Sequence, residues 1–273
     1  MPWLGWLVGG FLILALVSKL LVPQMEHLFL GPPTPTPTVT PTPSPPKAAI
    51  VDQTGFSFPG PEFISQARGY LEDSGYEVDL YPPKEVTVEF FSTLPKKGYR
   101  LILLETHATS EVVLEGQRGH ASDVPPGPFL FTTERYEKQR YLRLQMEDQI
   151  RASKLFYEDS PLLFAVGPKF IRSSMRDFFP NTVVIIGGCQ SLAFPDLARA
   201  FLDRGASVVI GWNGMVDLSH NNEAILHLLR SMTVEGLSPQ EAVEEAREEI
   251  GPDPEYGSSL MSLSWSDTGG PSR

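Results

Sequence analysis

The chain has 273 residues, with 33 acidic and 22 basic side chains, a formal charge of −11 and one cysteine, Cys189. Proteins bind nucleic acids mainly through clustered Lys and Arg that displace counterions from the phosphates, so this charge argues against a nucleic-acid partner. A single cysteine excludes an intramolecular disulfide and any zinc site that needs two thiolates. A chemical role for Cys189 therefore requires partners of other residue types.

Residues 1–22 predict a membrane anchor. The stretch from Trp3 to Val22 carries one charge, Lys19, and at about 1.5 Å per residue a helix of this length spans a hydrocarbon core of roughly 30 Å. A cleaved signal peptide is the alternative, but there is no basic residue ahead of the apolar stretch and no small-residue cleavage pattern after it. We expect an uncleaved, single-pass membrane anchor.

Residues 31–47, GPPTPTPTVTPTPSPPK, alternate proline with threonine and serine. Proline lacks the N–H that a helix or a ladder needs, and such a run favours extended polyproline II. A disordered linker is the plainer interpretation. Because Thr/Pro-rich spacers are typical of O-glycosylated stalks on cell exteriors, we expect the following domain to be extracytoplasmic.

From residue 48 onwards, short apolar runs alternate with helical patterns. We predict strands at 48–52, 76–81, 99–107, 182–189 and 205–212. We predict helices at 61–74, 85–94, 193–204, 219–235 and 238–250. Continuous apolar strands separated by helices indicate a parallel sheet covered on both faces. The predicted fold class is a three-layer α/β/α sandwich with a mostly parallel central sheet, spanning residues 48–256.

Two segments depart from this alternation. Between residues 108 and 181 we predict an inserted hairpin or two, with short strands at EVVLEG (111–116), PFLFTT (128–133), RYLRLQM (140–146) and PLLFAV (161–166). Residues 257–273 are rich in Ser and Gly, and predict an irregular C-terminal tail.

Polar side chains close two of the predicted strands. His107 ends LILLETH, and Cys189 ends VVIIGGC. In a parallel sheet with these strands adjacent, both side chains lie on one rim, as a cysteine nucleophile and its acid–base partner require. A helix predicted just after Cys189 would favour the thiolate through its dipole. One alternative is that Cys189 is a buried, unreactive side chain. Another is that His120, in place of His107, is the acid–base partner.

The pieces LILLETHA, VVIIGGCQS and GASVVIGWNGMVD resemble the caspase-like cysteine peptidases of clan CD, in particular the CHAT and separase branch, with some gingipain-like features. The resemblance extends over about residues 47–250. It implies a caspase-like fold and the activity of a thiol endopeptidase, with a protein or peptide as substrate and with no metal or cofactor.

The resemblance makes Cys189 the nucleophile and His107 the general acid for the leaving amine. The backbone N–H groups of Cys189 and Ala108 would form the oxyanion hole. This chain departs from the family pattern in two ways. It has Ala108 where the family usually has glycine after the histidine. The number of residues between histidine and cysteine is also larger than in caspases, as an insert would explain. A catalytically silent binding module on a stalk is therefore the second hypothesis. An unrelated flavodoxin-like sensor is the third.

Family members bind substrate along the segment after the fifth strand, which corresponds here to residues 211–217. The resemblance implies that Trp212 walls a side-chain pocket and that Asp217 lies at its base, with Asp52 as a rival for the latter role. A carboxylate there would favour Arg or Lys at P1. The simpler interpretations are a core aromatic for Trp212, and an N-cap or a surface acid for each aspartate.

Overall fold

The computed structural model describes residues 44–58, 60–109, 112–114, 117–119, 127–155, 157 and 159–268. The anchor predicted at 1–22, most of the linker predicted at 31–47, and His120 lie outside the described residues. Within the described part of the chain, no helix is both long enough and apolar enough to cross a membrane. The residues from Pro45 onwards belong to one compact unit.

A six-stranded sheet forms the centre of this unit. Its strands in spatial order are β12 (Leu260–Ser264), β11 (Val208–Trp212), β10 (Val183–Ile186), β3 (Leu101–Glu105), β1 (Lys47–Asp52) and β2 (Glu77–Tyr81). Every neighbouring pair is parallel except β11 and β12, which are antiparallel. The apolar runs become strands because both faces of the sheet are buried. The sheet is thus mostly parallel, as predicted.

Helices cover both faces of this sheet. On one face pack α1 (Pro61–Asp73), α6 (Leu218–Thr233) and α7 (Pro239–Glu249), and on the other pack α2 (Val88–Thr93), α4 (Pro168–Ser173) and α5 (Pro195–Asp203). Sequence signals mark the ends of two of these helices. Pro61 begins α1, and Gly75, with φ +85°, follows its end. Ser238 and Glu241 form a capping box at the start of α7. The result is a mixed α/β fold with three layers.

The insert forms a second sheet. Its four antiparallel strands in spatial order are β4 (Ala108–Thr109), β7 (Phe129–Arg135), β9 (Leu162–Val166) and β8 (Ile150–Lys154), and a separate two-stranded ladder joins β5 (Val112–Leu114) to β6 (Gln117–Gly119). The strand predicted at 140–146 is wrong, because this segment contains a short helix, α3 (Leu142–Met146).

The prediction of an irregular tail is wrong for part of the C-terminal segment. Residues 260–264 form β12, which pairs with β11 over five residues, from Trp212 opposite Leu260 to Val208 opposite Ser264. Leu260 and Ser264 are buried while Met261 is exposed. One edge of the parallel sheet is therefore closed by a short antiparallel strand, whose Ser and Leu content is a weak strand signal.

Candidate active site

The sheet places His107 and Cys189 side by side. Strands β3 and β10 are parallel neighbours, and Leu104 pairs with Ile186. His107 and Cys189 each lie three residues beyond this pair, at the carboxyl ends of strands about 4.8 Å apart. Both line one cleft of about 350 Å³. The structure thus brings together the two residues that the sequence singled out, on the rim where open α/β sheets bind ligands.

The thiol of Cys189 is half-buried and makes a hydrogen bond within the protein. Its Sγ donates to the backbone carbonyl of Val216 at 3.5 Å. Burial raises the pKa of the thiol above its ordinary value, and the Val216 contact only partly opposes this rise. The prediction that a helix dipole stabilises the Cys189 thiolate is wrong, because α5 begins six residues later, at Pro195.

A tight turn instead follows Cys189. Gln190 takes a left-handed conformation with φ +57°, and its N–H donates to the carbonyl of Gly214 at 2.7 Å. The hydroxyl of Ser191 accepts the N–H of Trp212 at 3.0 Å. A non-glycine residue at positive φ is held only where its surroundings over-determine it, and here the end of β11 supplies those contacts.

His107 is held through its backbone. Its N–H donates to Oε1 of Gln53 at 2.9 Å, and its carbonyl accepts the N–H of Phe131 at 2.9 Å. Its ring packs edge-on against Phe58 and Phe131, and its Nε2 is buried without a hydrogen-bond partner among the described residues. Burial lowers the pKa of His107 to about 4, so the imidazole is neutral at pH 7.

The absence of a side chain at Gly188 brings the ends of β3 and β10 into close contact. A Cβ at Gly188 would lie 2.2 Å from the carbonyl oxygen of Thr106 and 3.4 Å from Cβ of Ala108. Ala108, which is buried, pairs with Leu130 in the second sheet. The peptide that precedes Cys189 therefore packs beside Ala108, whose N–H the resemblance assigns to the oxyanion hole together with that of Cys189.

Beneath the cleft lies a buried polar network that sequence reasoning missed. Asn221 donates through Nδ2 to Oε2 of Glu105 at 3.2 Å and accepts the indole N–H of Trp212 at 2.9 Å. Glu105 contacts Gly187, where a Cβ would lie 2.0 Å from its Oε1. Burial raises the pKa of Glu105 to about 8. An acid inside the apolar run LILLE is the one sequence signal that marks this network.

The three predicted substrate-binding residues have different outcomes. Trp212 is fully buried in the core, so the prediction that it walls a pocket is wrong. Asp52 lies outside the cleft, where its carboxylate accepts the N–H of Gly55, because its position on β1 is one strand further from Cys189. Asp217 does line the cleft, and it also caps α6 by accepting the N–H groups of Ser219 and His220. These hydrogen bonds lower the pKa of its carboxyl.

Residues from the segment after α7 complete the cleft. Tyr256 lines it together with Phe58, Met215 and Leu218. Tyr256 is the last residue of the domain predicted at 48–256 and borders the predicted irregular tail, so the sequence pattern did not connect it with the site. Within the described residues, no group of three or more His, Cys, Asp and Glu side chains is placed to bind a metal ion.

Comparisons with known proteins give structural likenesses at low sequence identity. The sequence matches no protein-family model and no curated protein. Among solved structures, protein GSU0716 from Geobacter sulfurreducens is similar at 14% identity with a TM-score of 0.38, over 80% of this chain and 94% of that one.

Proposed function

We propose that the chain is a caspase-like cysteine endopeptidase that uses Cys189 and His107. The observation that carries this proposal is the register of β3 and β10, which puts the only cysteine and a histidine at equivalent positions over one cleft. A thiol and an imidazole at the carboxyl ends of adjacent parallel strands form a minimal nucleophile and acid–base pair. The resemblance to caspase-like peptidases supports the same assignment.

The electrostatics favour a neutral resting pair. Burial keeps the thiol protonated and the imidazole unprotonated at neutral pH. As Sγ attacks the substrate carbonyl, the thiol proton passes to His107, and the imidazolium then protonates the leaving amine. Water hydrolyses the resulting thioester with His107 as the base, which regenerates the thiol. The N–H groups of Cys189 and Ala108 would stabilise the oxyanion.

The N-terminal segments complete the proposal. Residues 1–22 would anchor the enzyme in a membrane, and the linker from residue 31 up to the start of β1 at Lys47 would hold the domain away from it. Sixteen residues of polyproline II would extend roughly 50 Å at about 3.1 Å per residue. The catalytic domain would therefore act mainly on substrates within that distance of the bilayer surface.

A second candidate is a catalytically silent binding module. The observation that favours it is the state of the pair itself. The thiol donates to Val216 O, and Nε2 of His107 is buried without a partner among the described residues. An enzyme must turn or uncover these groups on binding substrate. A binding module has no such need.

The decisive experiment measures peptide hydrolysis by the full-length chain in detergent. Fluorogenic peptides should be cleaved, with Arg, Lys, Leu, Phe and Asp tested in turn at P1. Cys189→Ala and His107→Ala should both abolish turnover. The control is Ser231→Ala, which removes a buried hydroxyl on α6 away from the cleft and should retain turnover. No turnover on any peptide would leave the binding module as the function, whereas turnover that survives Cys189→Ala would overturn the assignment of Cys189 as the nucleophile.

A further inference from the structure

The mouth of the cleft is surrounded by exposed apolar side chains. Phe58 and Met215 are each 39% exposed, Leu218 is 36% exposed and Tyr256 is 49% exposed, and all four line the cleft. Large apolar side chains gathered in water around a concave site mark a binding surface for apolar groups. Scattered apolar residues elsewhere on a surface carry no such meaning.

The charges at the cleft do not match a cationic side chain well. Among the described residues that line the cleft, Asp217 is the one acid, and one oxygen of its carboxylate accepts three hydrogen bonds from Ser219 and His220. Glu105 lies behind Gly187, where burial favours its neutral form. No Lys or Arg of the described residues lines the cleft either, so it offers little to an acidic side chain.

A buried aspartate fixes the wall that carries Tyr256. Asp253 is 1% exposed. Its Oδ1 accepts the N–H groups of Glu255 at 2.9 Å and Tyr256 at 2.7 Å, and its Oδ2 accepts the N–H of Asp217 at 2.8 Å. One carboxylate therefore joins the segment after α7 to the segment before α6. These are the two segments that border the cleft next to Cys189.

We propose that this cleft receives a large apolar side chain, aliphatic or aromatic, at P1 of an extended peptide, and that Tyr256 is the residue that selects it. Asp253 is its positioning residue, since it holds the Tyr256 backbone without reaching the cleft. This inference rests on the proposed function, because P1 is defined by attack of Cys189. It departs from the Arg or Lys preference that the resemblance implies.

The test uses peptides that differ only at P1. For the full-length chain, kcat/KM with Leu or Phe should exceed kcat/KM with Lys or Arg by about tenfold or more, as the burial of one large apolar group allows. Tyr256→Ala should lower kcat/KM for Leu and Phe by about tenfold and leave Lys little changed, whereas Tyr256→Phe should keep the preference. Phe178→Ala removes an exposed aromatic outside the cleft, and serves as the matched control.

The positioning role of Asp253 has its own readout. Asp253→Asn keeps one acceptor oxygen but loses the carboxylate charge that holds three N–H groups. It should raise KM for the Leu peptide more than it lowers kcat, while the rate of Cys189 alkylation by iodoacetamide does not fall, because the Asp253 charge raises the pKa of that thiol. An equal fall in the alkylation rate and in kcat/KM for all substrates would mean that Asp253 has a general structural role, and would overturn the assignment.

Binding to Cys189→Ala separates this inference from the proposed function. Calorimetric titration with the same uncleaved peptides should show tighter binding for Leu and Phe than for Lys. If apolar peptides bind but the parent chain cleaves none, the inference stands and the peptidase proposal fails. If Lys or Arg peptides are cleaved best, the peptidase proposal stands and the inference is overturned. Absence of both binding and cleavage overturns both.

Discussion

The side-chain carbonyl of Gln53, at the end of β1, accepts the backbone N–H of His107, at the end of β3. Gln53 is fully buried, and its amide Nε2 donates across to the carbonyl of Thr132 in the second sheet at 3.4 Å. One glutamine thus joins the central sheet, the inserted sheet and the candidate acid–base residue. The position of the imidazole therefore depends on a residue that binds the backbone of His107.

Replacing Gln53 should therefore affect stability and activity together. In Gln53→Leu the buried N–H of His107 loses its acceptor, which costs about 1–3 kcal/mol of unfolding free energy, and kcat/KM should fall because His107 shifts. Urea unfolding and peptide hydrolysis measure the two effects. Gln149→Leu is the matched control, since Gln149 is also buried and accepts a hydrogen bond from Ser174, away from the cleft. It should lose stability but keep the kcat/KM of the folded protein.

Glu105 should make the protein less stable as the pH rises above neutrality. Its folded pKa of about 8 exceeds the ordinary value of 4.5, mainly through burial and partly through the charge of Asp52. Between these two values the unfolded chain has lost the proton that the folded chain still holds, so stability falls with rising pH and levels off above pH 8. Below pH 6.5 the lowered pKa of His107 has the opposite effect. The interval from pH 6.5 to 8 therefore isolates Glu105.

The variant Glu105→Gln should remove this fall. It keeps a group that can accept from Asn221 but cannot ionise, so its unfolding free energy should vary little between pH 6.5 and 8, while that of the parent chain drops by about 1–2 kcal/mol. Urea unfolding at several pH values gives the comparison. Parallel pH profiles for the two proteins would show that Glu105 is already ionised at neutral pH.

The sequence predicts those parts of the site that follow from local signals. Apolar runs that end in a polar residue identified His107 and Cys189, because a parallel sheet gathers strand ends on one rim. Tyr256 and Asp253 carry no such signal, since long-range contacts of the loop after α7 bring Tyr256 to the cleft and Asp253 to the backbone N–H of Asp217. In α3, Leu142 and Met146 are exposed at helical spacing. The strand prediction for RYLRLQM relied on its apolar content and overlooked this spacing.

The environment of Cys189 was the hardest part of the site to predict. The thiol's reactivity depends on where the next helix begins and on how far the thiol is buried, and a shift of a few residues in the helix start removes the dipole contribution. The turn through Gln190 and Ser191 separates the thiol from α5. Burial then sets the direction of the pKa shift, opposite to the predicted one.

Alkylation kinetics should reveal this raised thiol pKa. Cys189 is the only cysteine, so iodoacetamide labelling followed by mass spectrometry reports on it alone. The rate should increase with pH to a midpoint above the ordinary value of 9.0, because thiolate is the reactive form. His107→Ala should leave that midpoint unchanged, since a neutral imidazole does not stabilise the thiolate. A midpoint below 9.0 that rises in His107→Ala would instead show a thiolate–imidazolium pair.

Gly188→Ala should test the close contact between the two strand ends directly. The added Cβ would lie 2.2 Å from the carbonyl oxygen of Thr106, a backbone atom that cannot rotate away, so the peptide before Cys189 must move away from β3. Overpacking of this kind costs about 1–3 kcal/mol, and it separates Cys189 from His107, so kcat should fall by more than the loss of folded protein explains.

Gly69→Ala is the matched control for that substitution. Gly69 lies within α1, where an added Cβ meets nothing within 4 Å, so alanine should raise the unfolding free energy by about 0.5–1 kcal/mol through the lower entropy of the unfolded chain. Activity should be unchanged. If Gly188→Ala is also stabilised and keeps full kcat, then β3 and β10 are further apart at this point, and the proposed proton transfer between Cys189 and His107 loses its geometric basis.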